Sequence, residues 1–134
     1  MKAIFERTKN IAVIGMSKNP EKSAYSIPAY MKSVGYNVIP VNPTTNEIEG
    51  VKCYATLAEV PEHIDLVSVF RPSKDCEEIA RQVIERHNSK GDVTTLWLQS
   101  GITNTEAKQM AVVAGIDFVE DRCFFIEHKY AFHK

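Results

Sequence analysis

The chain has little net charge, few cysteines and no long apolar run. Its 16 lysines and arginines nearly balance 17 aspartates and glutamates, so it lacks the basic face that nucleic-acid binding needs. No apolar stretch approaches the roughly 18 residues of a membrane span, and the first residues lack the apolar core of a signal peptide. We therefore expect one cytoplasmic domain over residues 1–134, with neither nucleic acid nor membrane as a partner.

The three cysteines, Cys53, Cys76 and Cys123, lie far apart and form no CxxC pair. This spacing indicates neither a zinc site nor a disulfide framework. No acidic cluster suggests a metal site. Neighbouring motifs also supply no set of nucleophile, base and acid, so binding without catalysis is the favoured interpretation.

Short apolar runs alternate with helical patterns along most of the chain. Buried strands are predicted at residues 11–15, 36–41, 66–70, 94–99 and 116–119. Helices are predicted at residues 23–34, 73–87 and 103–114. This alternation predicts a doubly wound α/β fold, in which a mostly parallel five-stranded sheet carries helices on both faces.

Specific residues are predicted at the helix ends. Pro28 is expected in a first turn, which would start the first helix near Ser26. Ser73 is expected to cap the second helix. Thr103 and Glu106 are expected to form a capping box for the third.

Two segments depart from the alternating pattern. Residues 44–60 indicate a loop with a short strand near 48–53 and a helical turn at 56–59. Residues 9–127 are expected to form the fold. The last seven residues, HKYAFHK, are expected to be dispensable to it.

The turn after the first predicted strand combines phosphate-binding features with the absence of a GxGxxG motif. Gly15 allows a tight turn, the N–H groups around Ser17 are expected to face a ligand, and the next helix offers its positive N-terminal end. In the dinucleotide pattern, Ser17 stands in place of the second glycine and Pro20 in place of the third. The turn therefore disfavours an ordinary nicotinamide site.

Asn42 and Pro43 follow the second predicted strand, where a nicotinamide site needs an acid for the ribose hydroxyls. A carboxylate would repel a phosphate on that ribose, whereas an amide would not. An adenine nucleotide with a pyrophosphate and an extra ribose phosphate fits this turn, and NADP and coenzyme A both qualify. Lys18, Lys22 and Arg71 are natural counterions, although each of these residues also has a purely structural explanation.

Four segments of the chain, taken in order, together carry a resemblance to one protein family: IAVIGMSKNPEKSAYSIPAYMKSVGYNVIPVNP, DLVSVFRPS, LWLQSG and DRCFFIEH. Together they span nearly the whole chain, and they resemble the small stand-alone coenzyme A-binding proteins. Those proteins are single Rossmann-like domains similar to the N-terminal domain of the succinyl-CoA synthetase α subunit. The resemblance implies a Rossmann-like fold and non-catalytic binding of coenzyme A, or an acyl-CoA, across the carboxyl ends of the strands.

The turns and the resemblance together define a predicted cofactor site. Its residues are Gly15, Ser17, Lys18, Lys22, Ser23, Val41, Asn42, Pro43, Phe70, Arg71, Gln99, Ser100, Gly101 and Cys123. The resemblance implies phosphates at the first turn, adenosine at residues 41–43, a crevice lined by residues 70 and 71, and pantetheine at residues 99–101.

The segment Asp121, Arg122 and Cys123 is a landmark of that family. The first two residues are expected to pair with each other. Arg122 would favour the thiolate of Cys123, which could form a mixed disulfide with coenzyme A. A buried structural cysteine is the favoured alternative.

The resemblance also bears on catalysis. We expect no thioester-forming chemistry, because the sequence has no second domain of the kind that carries the phosphorylated histidine in the synthetase, and no ATP-grasp domain. A CoA carrier or sensor is the main interpretation. An NADP-dependent reductase, an acyltransferase and a nucleotide-sensing regulatory module remain as alternatives. A homodimer or an unknown protein partner is compatible with the sequence, although no exposed apolar stripe requires one.

Overall fold

Seven short strands and five helices form the protein, whose computed structural model describes residues 1–133. The strands are β1 (Asn10–Ile14), β2 (Asn37–Val41), β3 (Glu47–Ile48), β4 (Val51–Lys52), β5 (Leu66–Val69), β6 (Thr95–Leu98) and β7 (Asp117–Val119). The helices are α1 (Lys2–Arg7), α2 (Ser23–Ser33), α3 (Cys76–Lys90), α4 (Thr105–Val113) and α5 (Phe124–Ala131).

Five strands pair in parallel to form the central sheet, in the order β2-β1-β5-β6-β7. The strands β1, β2, β5 and β6 are largely apolar and buried on both faces, whereas the edge strand β7 has an exposed Asp117. The predicted Rossmann-like α/β sheet is confirmed, and each of its strands lies within one residue of the predicted bounds.

Helices cover both faces of the sheet. Successive residues of β1 point to opposite faces: Ile11 and Val13 pack with residues of α2 and α5, whereas Ala12 packs with residues of α3 and α4. Among residues 1–133, no helix is long and apolar enough to cross a membrane.

The start of α2 differs from the prediction. The helix begins at Ser23, so Pro28 lies in its interior rather than in its first turn. A proline at this position cannot donate to the carbonyl of Ala24, four residues earlier. That carbonyl instead accepts a hydrogen bond from the Ser17 amide at 3.0 Å. The loop before the helix thereby supplies the donor that the proline lacks.

The predicted helix caps at residues 73 and 103 were also wrong. Asn104, not Thr103, caps α4, because its side-chain oxygen accepts from the Ala107 amide at 2.8 Å. Asn104 also donates to the carbonyl of Ser73 at 2.9 Å. The Ser73 hydroxyl accepts from the Thr103 amide at 3.1 Å and does not cap a helix. These bonds join the turns that follow β5 and β6.

The C-terminal segment is part of the fold, so the prediction that residues 128–134 are dispensable was wrong for the described residues; Lys134 lies outside them. His128 of α5 is buried, and its Nδ1 lies 2.7 Å from the Tyr30 hydroxyl. Its ring is also 5.0 Å from that of Phe5 in α1, a helix that the sequence pattern did not predict. Both ends of the chain therefore close one face of the sheet.

The segment between β2 and β5 forms one wall beside the sheet. It contains an antiparallel hairpin of β3 and β4, where a single short strand was predicted. Ile48 and Cys53 bury their side chains under it. The predicted helical turn is confirmed as a 3₁₀ turn at Leu57–Glu59.

Candidate functional site at the carboxyl ends of the strands

The order of the strands reverses beside β1. The chain passes from β1 to β2 on one side, and it later enters β5 on the other side. Ligands of doubly wound sheets bind at such a switch point, outside the carboxyl ends of the strands. The turns after β1 and β5 meet there and line a crevice made of two adjoining cavities.

Gly15 sets the close approach of these two turns. Its φ is +86°, and a Cβ atom would lie 2.9 Å from the Phe70 carbonyl oxygen and 3.2 Å from Cδ of Arg71. The Gly15 amide also donates to the Val41 carbonyl at 3.0 Å. The ends of β1, β2 and β5 therefore converge on a position that only glycine fits.

The first cavity is cationic. It has a volume of about 460 Å³, and its described lining contains Lys18, Lys22 and Arg71 but no carboxylate. It lies at the start of α2, where the amides of Ser23 and Ala24 have no hydrogen-bond partner among the described residues. Positive charge and free amide donors together favour a phosphate group.

The loop after β1 uses several of its amides internally. The Ser17 amide donates to Ala24, and the Ser17 hydroxyl accepts from the Asn19 amide at 3.0 Å. The Asn19 side chain accepts from the Glu21 amide at 3.0 Å. The prediction that N–H groups around Ser17 face a ligand is therefore not met by the amides of Ser17, Asn19 and Glu21. The ammonium groups of Lys18 and Lys22 and the amide of Ser23 in the first turn of α2 are the donors that remain available to an anion.

Asn42 joins the turns after β1 and β2. Its Nδ2 donates to the Met16 carbonyl at 3.1 Å, while its Oδ1 accepts from the amide and hydroxyl of Thr44 at 2.9 and 2.7 Å. An aspartate could not donate to Met16, which gives a structural reason for an amide here. Asn42 and Thr44 line both cavities, and Pro43 lines the second.

The second cavity is less polar and lies between the turn after β2 and helix α3. Its volume is about 590 Å³. Val41, Leu57 and Ile79 are buried side chains that form an apolar floor. Glu78 and Gln82 of α3 lie along its edge.

Arg71 lies where the two cavities meet. Its guanidinium donates to the Asp75 carboxylate at 3.0 Å, and both side chains are partly exposed. This ion pair holds a cation in the crevice without burying it. Phe70, the preceding residue, lines the first cavity.

The predicted residues after β6 lie apart from these two cavities. Gln99 is only 3% exposed, and its side chain donates to the Ser68 hydroxyl at 2.9 Å and accepts from the Phe124 amide at 3.0 Å. A contact between its side chain and a ligand would require these bonds to break. Ser100 lines a third cavity, of about 460 Å³, together with Cys123.

The structure gives the Asp121–Arg122 segment a role that the sequence did not. The two side chains do not pair as predicted: Asp121 accepts from the Gly101 amide at 2.7 Å, and Arg122 contacts Glu127 at 3.5 Å. The Trp97 ring donates to the Arg122 carbonyl at 2.8 Å. The segment therefore fastens the turn after β6 to the start of α5.

The three cysteines are all free, and only Cys123 is partly exposed. Burial raises the pKa of the Cys53 thiol, and it raises that of Cys76 to about 11. Both are protonated at neutral pH and therefore poor nucleophiles. Cys123 is half-buried at the start of α5 and packs against the core cluster that contains Phe124, so the favoured prediction of a buried structural cysteine holds only in part. Within residues 1–133, no group of three or more metal-ligating side chains could hold a metal ion.

Several lining residues were missed from the sequence. Thr44 and Thr45 lie in the cationic cavity, and Glu78, Ile79 and Gln82 line the less polar one. Helical periodicity shows that the last three share one face of α3. It gave no reason to assign that face to a site, because its polar members looked like an ordinary solvated helix surface.

The chain belongs to the family described as CoA binding domain, which matches residues 9–129. This is the class of protein that the fold and the resemblance had indicated. The match includes both cavities of the crevice and every strand of the central sheet.

Three relatives illustrate the range of proteins that contain this domain. The protein YneT of Bacillus subtilis (strain 168) is 37% identical over 128 residues, which cover 96% of this chain and 91% of YneT. The structure of cell-free ID.343 from Thermus thermophilus has 35% identity and a TM-score of 0.90, with 98% and 96% of the two chains covered. The alpha subunit of acetate–CoA ligase [ADP-forming] II from Pyrococcus furiosus is 28% identical; the match covers 95% of this chain but only 29% of that subunit.

Proposed function

We propose that the protein binds coenzyme A or an acyl-CoA, without converting it, in the crevice at the carboxyl ends of β1, β2 and β5. The observation that carries this proposal is the cation-lined cavity at the switch point of a CoA binding domain. The protein would then act as a CoA carrier or sensor. Cys53 and Cys76 are free thiols, which suits a reducing compartment such as the cytoplasm.

The charges in the crevice support this ligand. Coenzyme A carries a pyrophosphate and a ribose phosphate, and Lys18, Lys22 and Arg71 offer three cations within one cavity. Asn42 places an uncharged amide beside that cavity, where an aspartate would repel phosphate. The two unpaired amides at the start of α2 add donors of the right polarity.

The chemistry of the lining residues supports binding rather than catalysis. Among the described residues, neither cavity of the crevice is lined by a cysteine or a histidine. Ammonium, guanidinium, hydroxyl and amide groups are available there, and these are suited to holding phosphates and a nucleoside; the two carboxylates of the lining, Asp75 and Glu78, are each paired with an arginine. Cys123 lies in the separate third cavity, so a mixed disulfide formed by exchange of its thiolate with CoA disulfide, which releases one CoA thiol, would require the pantetheine arm to reach it.

Thermal unfolding with a ligand series tests the proposal. A ligand at a hundred times its dissociation constant stabilises the native state by about 2.7 kcal/mol. We expect coenzyme A and acetyl-CoA to raise the Tm strongly, and dephospho-CoA to raise it less. A clear response to NADP without a response to any CoA species would overturn the proposal and favour the reductase alternative.

A pair of lysine variants tests the cationic cavity itself. Lys22→Gln removes a cation from its lining, whereas Lys32→Gln removes an equally exposed cation from the last turn of α2. We expect Lys22→Gln to weaken CoA binding about tenfold, because a charge-assisted hydrogen bond is worth roughly 1.5 kcal/mol or more. Lys32→Gln should bind like the wild type. Equal affinities of the two variants would exclude Lys22 from the site.

A further inference from the structure

The two halves of the crevice differ in charge. The described lining of the first cavity holds Lys18, Lys22 and Arg71 and no carboxylate. The second cavity shares Arg71 and adds Lys74, but it also contains the carboxylates of Asp75 and Glu78, so its lining charges cancel. A phosphate is therefore favoured in the first half, whereas the second half has no net charge that would attract one. The part of a nucleotide that suits the second half is its uncharged base.

The second half also has the shape and polarity that a flat ring needs. Its floor is formed by the buried side chains of Val41, Leu57 and Ile79. Pro43 lies on one side and helix α3 on the other, and the volume is about 590 Å³. Burying a heterocyclic ring against such a floor removes apolar surface from water on both partners. The ring's polar edge must then find hydrogen-bonding groups at the rim.

Gln82 is one of three rim residues, with Thr56 and Lys74, whose side-chain hydrogen-bonding groups are free among the described residues, and it is the one that carries a carboxamide. It is exposed, and the hydrogen bonds found among residues 1–133 do not use its carboxamide. Glu78, one helical turn earlier, accepts from Arg81 at 3.1 and 3.2 Å. A carboxamide presents a donor and an acceptor side by side, which matches the amino group and N7 of adenine. Guanine presents two acceptors on that edge and matches it less well.

We infer that the half of the crevice floored by Val41, Leu57 and Ile79 is a purine subsite in which Gln82 recognises adenine. The inference rests on the proposed function, because it assigns a position to one end of the same ligand. It makes Gln82 a specificity-determining residue that selects adenine over guanine. It also orients the nucleotide, with its base toward α3 and its phosphates toward α2.

Calorimetric titration of the full chain tests this assignment. The probes are coenzyme A, adenosine 3′,5′-bisphosphate and guanosine 3′,5′-bisphosphate. The variants are Gln82→Leu, which keeps the side-chain volume but removes both hydrogen-bonding groups, and Gln109→Leu, a matched change on the exposed surface of α4. Both positions are exposed, and the Tm of each variant confirms that it is folded.

The wild type should bind the adenosine compound about tenfold more tightly than the guanosine compound, since each hydrogen bond contributes roughly 1 kcal/mol. Gln82→Leu should bind coenzyme A and the adenosine compound about tenfold more weakly and lose the preference for adenine, while Gln109→Leu should match the wild type. If Gln82→Leu binds both within about twofold of the wild type, the assignment of Gln82 is wrong, but CoA binding stands. If the wild type binds neither coenzyme A nor the adenosine compound, the proposed function fails and the inference fails with it.

Discussion

The amide of Ser17 donates a hydrogen bond to the carbonyl of Ala24 over 3.0 Å, and this bond fastens the loop after β1 to helix α2. In a regular helix that carbonyl would accept from the amide four residues later, but the residue there is Pro28. The proline thus leaves an acceptor free at the point where the loop needs one. The hydrogen bond that is missing inside the helix therefore helps to position the cationic side of the crevice.

Replacing Pro28 with alanine tests this relationship. The new amide at residue 28 would compete for the Ala24 carbonyl, so the Ser17 amide should exchange with solvent about five- to tenfold faster. That change corresponds to the roughly 1 kcal/mol of one hydrogen bond. Hydrogen exchange measured by NMR reads it directly, and the Gly15 amide, bonded to Val41 at 3.0 Å, is the internal control. Unchanged exchange at Ser17 would show that the proline is irrelevant to the loop.

Gly15→Ala should cost both stability and ligand affinity. The positive φ alone costs an alanine about 1–2 kcal/mol, and here the new Cβ would also meet the Phe70 carbonyl at 2.9 Å. Gly115→Ala is the matched control, because Gly115 has a φ of +79° with no other group within 4 Å. Urea unfolding should show the larger loss for Gly15→Ala, and only this variant should bind coenzyme A more weakly. Equal losses in both variants would mean that the turns have room to move apart.

The central sheet could be predicted because its strands are short apolar runs, and such runs are typical of strands buried on both faces. The two terminal helices, α1 and α5, could not. Phe5 and His128 are separated by more than a hundred positions; their rings pack on each other, and that of His128 also packs on Tyr30. Neither helix has a local pattern that reveals such a contact. The prediction of the α4 cap was wrong for a related reason, since the capping residue Asn104 is held in place by Ser73, which lies in a different turn.

The cationic half of the crevice could be predicted because topology brings the turns after parallel strands to one edge of the sheet. Gly15 and Lys22 from the turn after β1 therefore line one cavity with Arg71, which comes much later in the chain. The residues of α3 that line the crevice were not predicted. Gln82 lies in the middle of a polar helix surface, and only the position of that helix beside the turn after β2 makes it part of a cavity.

Gln99→Leu distinguishes a structural role from ligand binding at the end of β6. The substitution leaves the Ser68 hydroxyl and the Phe124 amide without their partner inside the core. Each unsatisfied buried group costs about 1–3 kcal/mol, so we expect urea unfolding to show a loss of about 2–4 kcal/mol. Gln109→Leu, on an exposed surface, should change stability by less than about 0.5 kcal/mol. Full stability combined with weaker CoA binding would instead place the Gln99 side chain at the ligand.

The burial of His128 predicts a loss of stability in mild acid. Burial among aromatic rings, together with the charge of Lys129, lowers the pKa of His128 below its usual value of 6.5. The unfolded chain then takes up a proton at a higher pH than the folded chain, so stability is complete above about pH 6.5 and declines as the pH falls through the folded pKa. The Tm of the wild type should therefore drop between about pH 7.5 and about pH 5.5.

His128→Gln should flatten this dependence even though it lowers the Tm overall, because it breaks the bond to Tyr30. The exposed His133→Gln should keep the wild-type slope, and equal slopes in all three proteins would show that another group controls the acid sensitivity.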